Sequence, residues 1–187
     1  MSGVSSRWSQ LFYEAALPAV TIPQALSESA CVEIRAALAQ QDWQVFDVAD
    51  RGHYEFHLCW FPTSIQERLL SLATEVIGVP LQILAHRWRR LRRGDYGLVK
   101  DDDRLRPPSV TTWVELNLDV SSDASAEAQI VVADGEDSFV VSQTPGTVAI
   151  VGRTEGSRRF ERYLGMRYGA GQVVRLQLWL GPKLADQ

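Results

Sequence analysis

The sequence predicts an α+β chain that is mainly β: two helices within the first 80 residues, then an antiparallel sandwich or barrel of short strands. Three observations predict it. Helical spacing of apolar residues is confined to two stretches before Pro80. After Pro80 the period switches to two, in runs rich in β-formers and separated by Gly, Pro, Asp and Ser. No further helical pattern follows, and strands grouped after helices are the pattern of an α+β fold rather than of alternating βα units.

The first helical stretch is ALSESACVEIRAALAQQ, residues 25 to 41, with Ala30, Ile34, Ala37 and Leu38 on one face. Ser27 stands before it as a candidate N-cap, beside the acidic Glu28. The second is SIQERLLSLATEVIG, residues 64 to 78. It opens on Thr63 and Ser64, has Glu67 three residues after Ser64 in capping-box spacing, and stops at Gly78 and Pro80. The strand runs are LQILAHRWRRL, TTWVELNLDV, AQIVVAD, SFVVSQ, GTVAIVGR and VVRLQLWLG. The whole of 1–187 is expected to be a single domain, with helical support over about 1–80 and a β core over about 81–182.

Composition bounds the function classes. With 187 residues, 45% of them hydrophobic, the chain is long enough to bury a sizeable core and is not of disordered composition. Nineteen Lys and Arg against 23 Asp and Glu give a slightly negative chain, which supplies no global attraction for nucleic acid or an anionic membrane. Five arginines crowd HRWRRLRRGD, yet on a strand they divide between two faces, and only Trp88 and Tyr96 interleave with them. A small anion therefore suits the cluster better than nucleic acid. Two cysteines are too few for a disulfide framework, no apolar run is long enough to span a bilayer, and the start lacks the order of a signal peptide. A cytoplasmic protein is expected.

One stretch, GDYGLVKDDDR (94–104), follows the first of these strand runs and carries a specific likeness. Taken in order, LPAVTIPQALSESACVEIRAAL, RGHYEF, the second helix, LRRGDYGLVKDDDR, PGTVAIVG, RRFERYLGMRYG and VVRLQLWL resemble the 2-oxoglutarate/iron(II)-dependent dioxygenases of the prolyl 4-hydroxylase-like type. The likeness covers most of the chain. It implies a double-stranded β-helix, a jelly roll with helices packed on one sheet. It also implies an iron site made of a His-x-Asp pair and a distal His, and a late-strand Arg or Lys for the far carboxylate of 2-oxoglutarate. Two imidazoles and a carboxylate on one face of Fe(II) leave the remaining positions for the oxoacid and O₂.

Against that pattern the chain departs. Its three histidines, His53, His57 and His86, all precede the GDY turn, so the His-x-Asp motif reads Lys100-Asp101-Asp102. The resemblance puts Glu161 at the distal position, with Arg159 or Arg162 there if the register slips, and Arg175 at the oxoacid-binding position. Asp102 alone survives of the three metal ligands. Lys100, Asp102, Arg175 and Tyr96 are the expected ligand-binding residues. Lys100 has two readings, a solvated lysine in an acidic turn or an ammonium inside the cup that stands in for the missing cation beside Asp102. Asp102 is alternatively a turn residue, Glu161 a surface acid, and Arg175 a strand arginine paired to a neighbouring acid. His86 alternates with Trp88 and Arg90 and either enters the cup or is a structural histidine. His53 and His57 share a strand face without a third ligand, and Cys59 lacks the geometry of a nucleophile.

Three function classes follow. The first is a non-catalytic, iron-poor member of the fold that binds a small anion or a protein partner in the barrel cup. The second is an active oxygenase or hydroxylase with an atypical metal site, or metal-free chemistry using Lys100. The third is an ordinary dioxygenase in which His86 or His57 supplies a ligand. 2-Oxoglutarate is the candidate cofactor and Fe(II) is not expected at full occupancy. Substrate, partner and oligomeric state are not specified by these residues.

Overall fold

The computed structural model describes residues 3–100, 112–122, 129–141, 144–165 and 171–183. Among the described residues three helices and eleven strands follow in the order α1 (Gly3–Glu14), β1 (Ala19–Ile22), α2 (Glu28–Leu38), β2 (Gln44–Val48), β3 (Gly52–His57), α3 (Thr63–Ile77), β4 (Leu81–Leu91), β5 (Tyr96–Gly97), β6 (Thr112–Asp119), β7 (Ile130–Asp134), β8 (Asp137–Val141), β9 (Val148–Thr154), β10 (Arg158–Glu161) and β11 (Val173–Pro182). Every strand pairing is antiparallel, in the order β1-β9-β6-β11-β4-β3-β5-β10-β7-β8, with β2 added beside β3. The sheet curls nearly into a barrel, the jelly roll that the sequence predicts, with the helices on one face. Among the described residues no helix is long and apolar enough to cross a membrane.

The two faces of the long strands divide the molecule. On β6 and β11, Val114, Leu116, Leu118, Val174, Leu176, Leu178 and Leu180 point to one side. There they meet Ile34 and Leu38 of α2, Leu69, Ala73 and Val76 of α3, and Phe12 of α1 in the main core. The alternate residues point into the barrel, because successive strand side chains take opposite faces. Across the barrel, Ile130 and Val132 of β7 close on Ala149 and Val151 of β9 and Ala19 of β1 in a second apolar cluster.

Several expectations shift at the boundaries. The first 80 residues pair into the sheet as well as supplying helices: β1 pairs with β9, and β3, the strand read through His53 and His57, pairs with β4. Helix α1, which the sequence pattern does not signal, packs against α3 through Phe12 and a Tyr13 hydroxyl bond to the Ile77 carbonyl of 2.8 Å. Helix α2 is capped by Ser27, whose hydroxyl accepts from the Ala30 N–H, but it ends three residues short of position 41. Helix α3 starts one residue earlier than expected, at Thr63, with Pro62 at the N-cap and no side-chain cap bond. Thr63 and Ser64 thus sit inside the first turn, where the capping box cannot form. At its other end Gly78 takes φ 79°, as a left-handed helix stop requires.

Candidate functional site

The barrel interior is built from charge. Arg87 and Arg89 of β4, Glu115, Asn117 and Asp119 of β6, Arg153 of β9, Arg159 and Glu161 of β10, and Arg175 and Gln177 of β11 all lie buried. The alternation that sends leucines to the helices sends these polar residues inward, so β6 and β11 are buried on both faces. Among the described residues five arginines face three carboxylates, a formal excess of two positive charges.

Each carboxylate is held by more than one donor. Glu161 sits 2.7 Å from Nη1 of Arg89 and accepts from Nη1 of Arg175, with Nη2 of Arg159 at 3.8 Å. Glu115 accepts from Nη1 of Arg153, from Nε of Arg159 at 2.8 Å and from Nδ2 of Asn117 at 3.0 Å. Asp119 accepts from Nε of Arg175 at 3.3 Å and from the Ser121 N–H at 2.8 Å. Arg87 donates to Oε1 of Gln177 and to the Tyr54 hydroxyl. Aromatic rings complete the seating: the Arg89 guanidinium lies 3.7 Å from the Tyr54 ring centre, and Arg153 lies over Trp113. Burial alone would raise the Glu161 carboxyl, but the guanidiniums of Arg89, Arg175 and Arg159 more than reverse this and hold it at about 2. Glu115 follows the same logic, with burial opposed by Arg153 and Arg159 and the net shift downward.

Gly97 of β5 makes room for this arrangement. A Cβ there would lie 2.7 Å from Nη2 of Arg89, so a larger residue would require that guanidinium, which pairs with Glu161, to shift.

The residues singled out from the sequence are distributed as follows. Arg175 and Glu161 lie in the barrel and bond to each other, so the guanidinium fork expected to receive a ligand carboxylate receives two of the protein's own. Nη2 of Arg175 is left, and so is Nε2 of Gln177, two positions away on the same strand face; among the described residues both are buried donors without a protein acceptor, and Oδ1 of Asn117 is a buried acceptor without a donor. Lys100 is not in the cup. Its ammonium is 64% exposed and donates to Asp50 at 2.9 Å, lowering the Asp50 carboxyl first by that hydrogen bond. The acidic partner it was expected to meet, Asp102, lies outside the described residues. Tyr96 spends its hydroxyl on the Ala49 carbonyl at 3.3 Å. Arg159 faces inward, whereas Arg162 is bonded to Gln129 on the outside.

The histidines are engaged elsewhere. His57 accepts the Trp60 N–H at Nε2, so Nδ1 carries the proton and donates to the Asp42 carbonyl at 3.0 Å, a structural role. His53 lies between Asp47 and Asp95. His86 shares its strand face with Trp88, and that face meets the helices, not the cup; its ring packs against Phe61, and burial lowers its pKa. Cys59 is exposed and Cys31 buried, and both are free thiols. Among the described residues no three of His, Cys, Asp or Glu come together as a metal cluster. Fe(II) does not fit the described cup: its carboxylates are taken by guanidiniums, and the surplus positive charge repels a dication.

Glu115, Asp119 and Arg153 are members of the site that motif reasoning missed, whereas Arg87 and Arg89 belong to the arginine cluster read as divided between two strand faces. The available signal was the alternation in WVELNLD and VVRLQLWL, once both faces of those strands are taken as buried.

Comparison with solved structures gives the fold its relatives. An oxidoreductase of the 2OG-Fe(II) oxygenase family from Burkholderia pseudomallei superposes with a TM-score of 0.72 at 13% identity, over 97% of this chain and 92% of that one. HygX from Streptomyces hygroscopicus, solved with nickel and 2-oxoglutarate bound, gives 0.68 at 16% identity over 95% and 87%. A Pseudomonas putida prolyl-4-hydroxylase gives 0.65 at 11% identity over 97% and 100%. The sequence matches no family model and no curated protein.

Proposed function

Proceeding from a chain that has the fold of the 2-oxoglutarate/Fe(II) oxygenases, we propose that it is a non-catalytic member of that fold, in which guanidinium groups replace the metal and the barrel receives a small carboxylate anion. One observation carries the reading: Glu161, expected at the distal ligand position, is bonded by Arg89 and Arg175. The missing cation is thereby replaced from within the barrel, by arginine rather than by Lys100. The excess of two guanidiniums and the two donors left over, Nη2 of Arg175 and Nε2 of Gln177, suit an anion that offers carboxylate oxygens to both. Such a ligand enters the cup in competition with Glu161 and Asp119 for Arg175. Its site is cytoplasmic in this proposal, and nucleic acid is not its ligand.

Calorimetric titration with 2-oxoglutarate and with succinate tests the reading. Both dicarboxylates bind the parent protein, without metal and without turnover, and Gln177→Met weakens both. Absence of binding by either, or equal binding by Gln177→Met, would contradict the anion site. Conversion of 2-oxoglutarate to succinate would contradict the non-catalytic assignment.

A further inference from the structure

A cavity lies outside the barrel, at the end of the helix layer. It encloses about 300 Å³ and is lined by Arg35, Leu38 and Ala39 from α2, Trp43, Arg90 from β4, Ser122, and Gly171, Gln172 and Val174 at the start of β11. Its volume is at the lower end of small-molecule sites. Arg90 reaches it because even-numbered residues of β4 face away from the cup.

The cavity joins two kinds of surface. Leu38, Ala39, Val174 and Trp43 are apolar, while Arg35 and Arg90 bring two guanidiniums. Each is fixed in place by the protein. Arg35 donates through Nη1 to the Val120 and Ser121 carbonyls at 2.8 and 3.0 Å and through Nη2 to Glu28. Arg90 lies 4.3 Å from the Trp43 ring centre and donates through Nε to Glu55. Trp43 itself is pinned by its indole N–H to the Leu38 carbonyl at 3.1 Å. Glu55 is shared with Arg92 at 3.2 Å, so one carboxylate serves two guanidiniums and local positive charge is left over. The bond to Glu55 is made by Nε of Arg90, and its terminal nitrogens remain to donate into the cavity.

We infer that this cavity is a second binding site, separate from the barrel, for a small organic acid: a carboxylate held by Arg90 and Arg35 on an apolar body that lies against Leu38, Trp43 and Val174. A fixed guanidinium aimed into a half-apolar pocket favours an anion that brings its own hydrophobic surface, because the charge gives orientation and the body gives burial. Inorganic anions would leave the apolar wall uncovered.

The probe is 4-benzoylbenzoate, an aromatic carboxylate whose ketone attaches to nearby C–H bonds on irradiation, with neutral 4-benzoylbenzamide as its comparison. Calorimetry of the intact protein is expected to show saturable binding of the acid and about tenfold weaker binding of the amide, the loss expected for a charge-assisted contact. Arg90→Gln, which leaves Glu55 its Arg92 partner, weakens the acid by a similar factor and leaves the amide unchanged. Irradiation followed by trypsin places the label on the peptide 36–51, which holds Leu38, Ala39 and Trp43. Excess 2-oxoglutarate does not prevent labelling there. The inference is overturned if the amide binds as well as the acid, if Arg90→Gln binds as the parent does, or if the label falls on barrel strands and 2-oxoglutarate displaces it.

Discussion

Glu161 carries its charge at a depth where an isolated carboxylate would be neutral, and it does so because guanidiniums from β4, β10 and β11 converge on it. Removing that charge takes a buried carboxylate from both Arg89 and Arg175, leaving Asp119 as the acidic partner of Arg175. Glu161→Gln should therefore lower stability by about 3–5 kcal/mol, or roughly 6–20 °C in Tm, measured by thermal unfolding at pH 7. The pH dependence has a definite sign. A carboxyl held at about 2 when folded and near 4.5 when unfolded contributes stability that is complete above about pH 4.5 and lost as the pH falls through about 2. The Tm gap between the parent and Glu161→Gln should accordingly narrow between pH 5 and pH 2.5; a gap of constant size would mean that Glu161 is not a buried ion. Lys100→Ala should melt like the parent, since both Lys100 and Asp50 are exposed. A clear drop in Tm would instead put Lys100 in a buried pair. Lys100 was hard to place from sequence because an acidic turn offers a lysine several partners. Asp50, some 50 residues earlier, enters only when β3 and β5 pair.

At the scale of elements, the two helix starts make contrasting predictions. Ser27 caps α2 through a hydrogen bond and the first turn of α3 has none, so Ser27→Ala should cost about 1 kcal/mol while Ser64→Ala should be close to neutral, read from denaturant midpoints. Equal costs would show that the caps are misassigned. Gly97→Ala tests β5: displacing the Arg89 guanidinium should cost about 1–3 kcal/mol by overpacking and should raise the pH at which the protein unfolds in acid, because Glu161 loses a donor. Long strands and the α2 and α3 helices were legible because their periods are sustained over many residues. The short β10, RRFE, is absent from the strand runs read in the sequence: four residues with two arginines show no apolar alternation, and their burial depends on β7 on one side and the barrel interior on the other.

Across the whole molecule, the apolar half of each long strand builds the seam with the helices and the polar half builds the barrel interior. The sequence alternation in β6 and β11 is the same one that an ordinary half-exposed sheet shows. Which side the polar residues face is decided by closure of the sheet, a non-local event that pairs β10 with β7 and brings Glu161 over Arg175. The missing histidines were legible by counting, but the buried arginines of the barrel were not, because they come from four strands with no common motif. Among the described residues their joint effect is an interior with surplus positive charge, and the proposed function rests on that charge keeping iron out. The most direct test is to incubate the protein anaerobically with one equivalent of Fe(II), desalt it, measure bound iron, and then add 2-oxoglutarate and O₂. Far less than one iron per chain and no succinate is the predicted result; stoichiometric iron with succinate formation would contradict it.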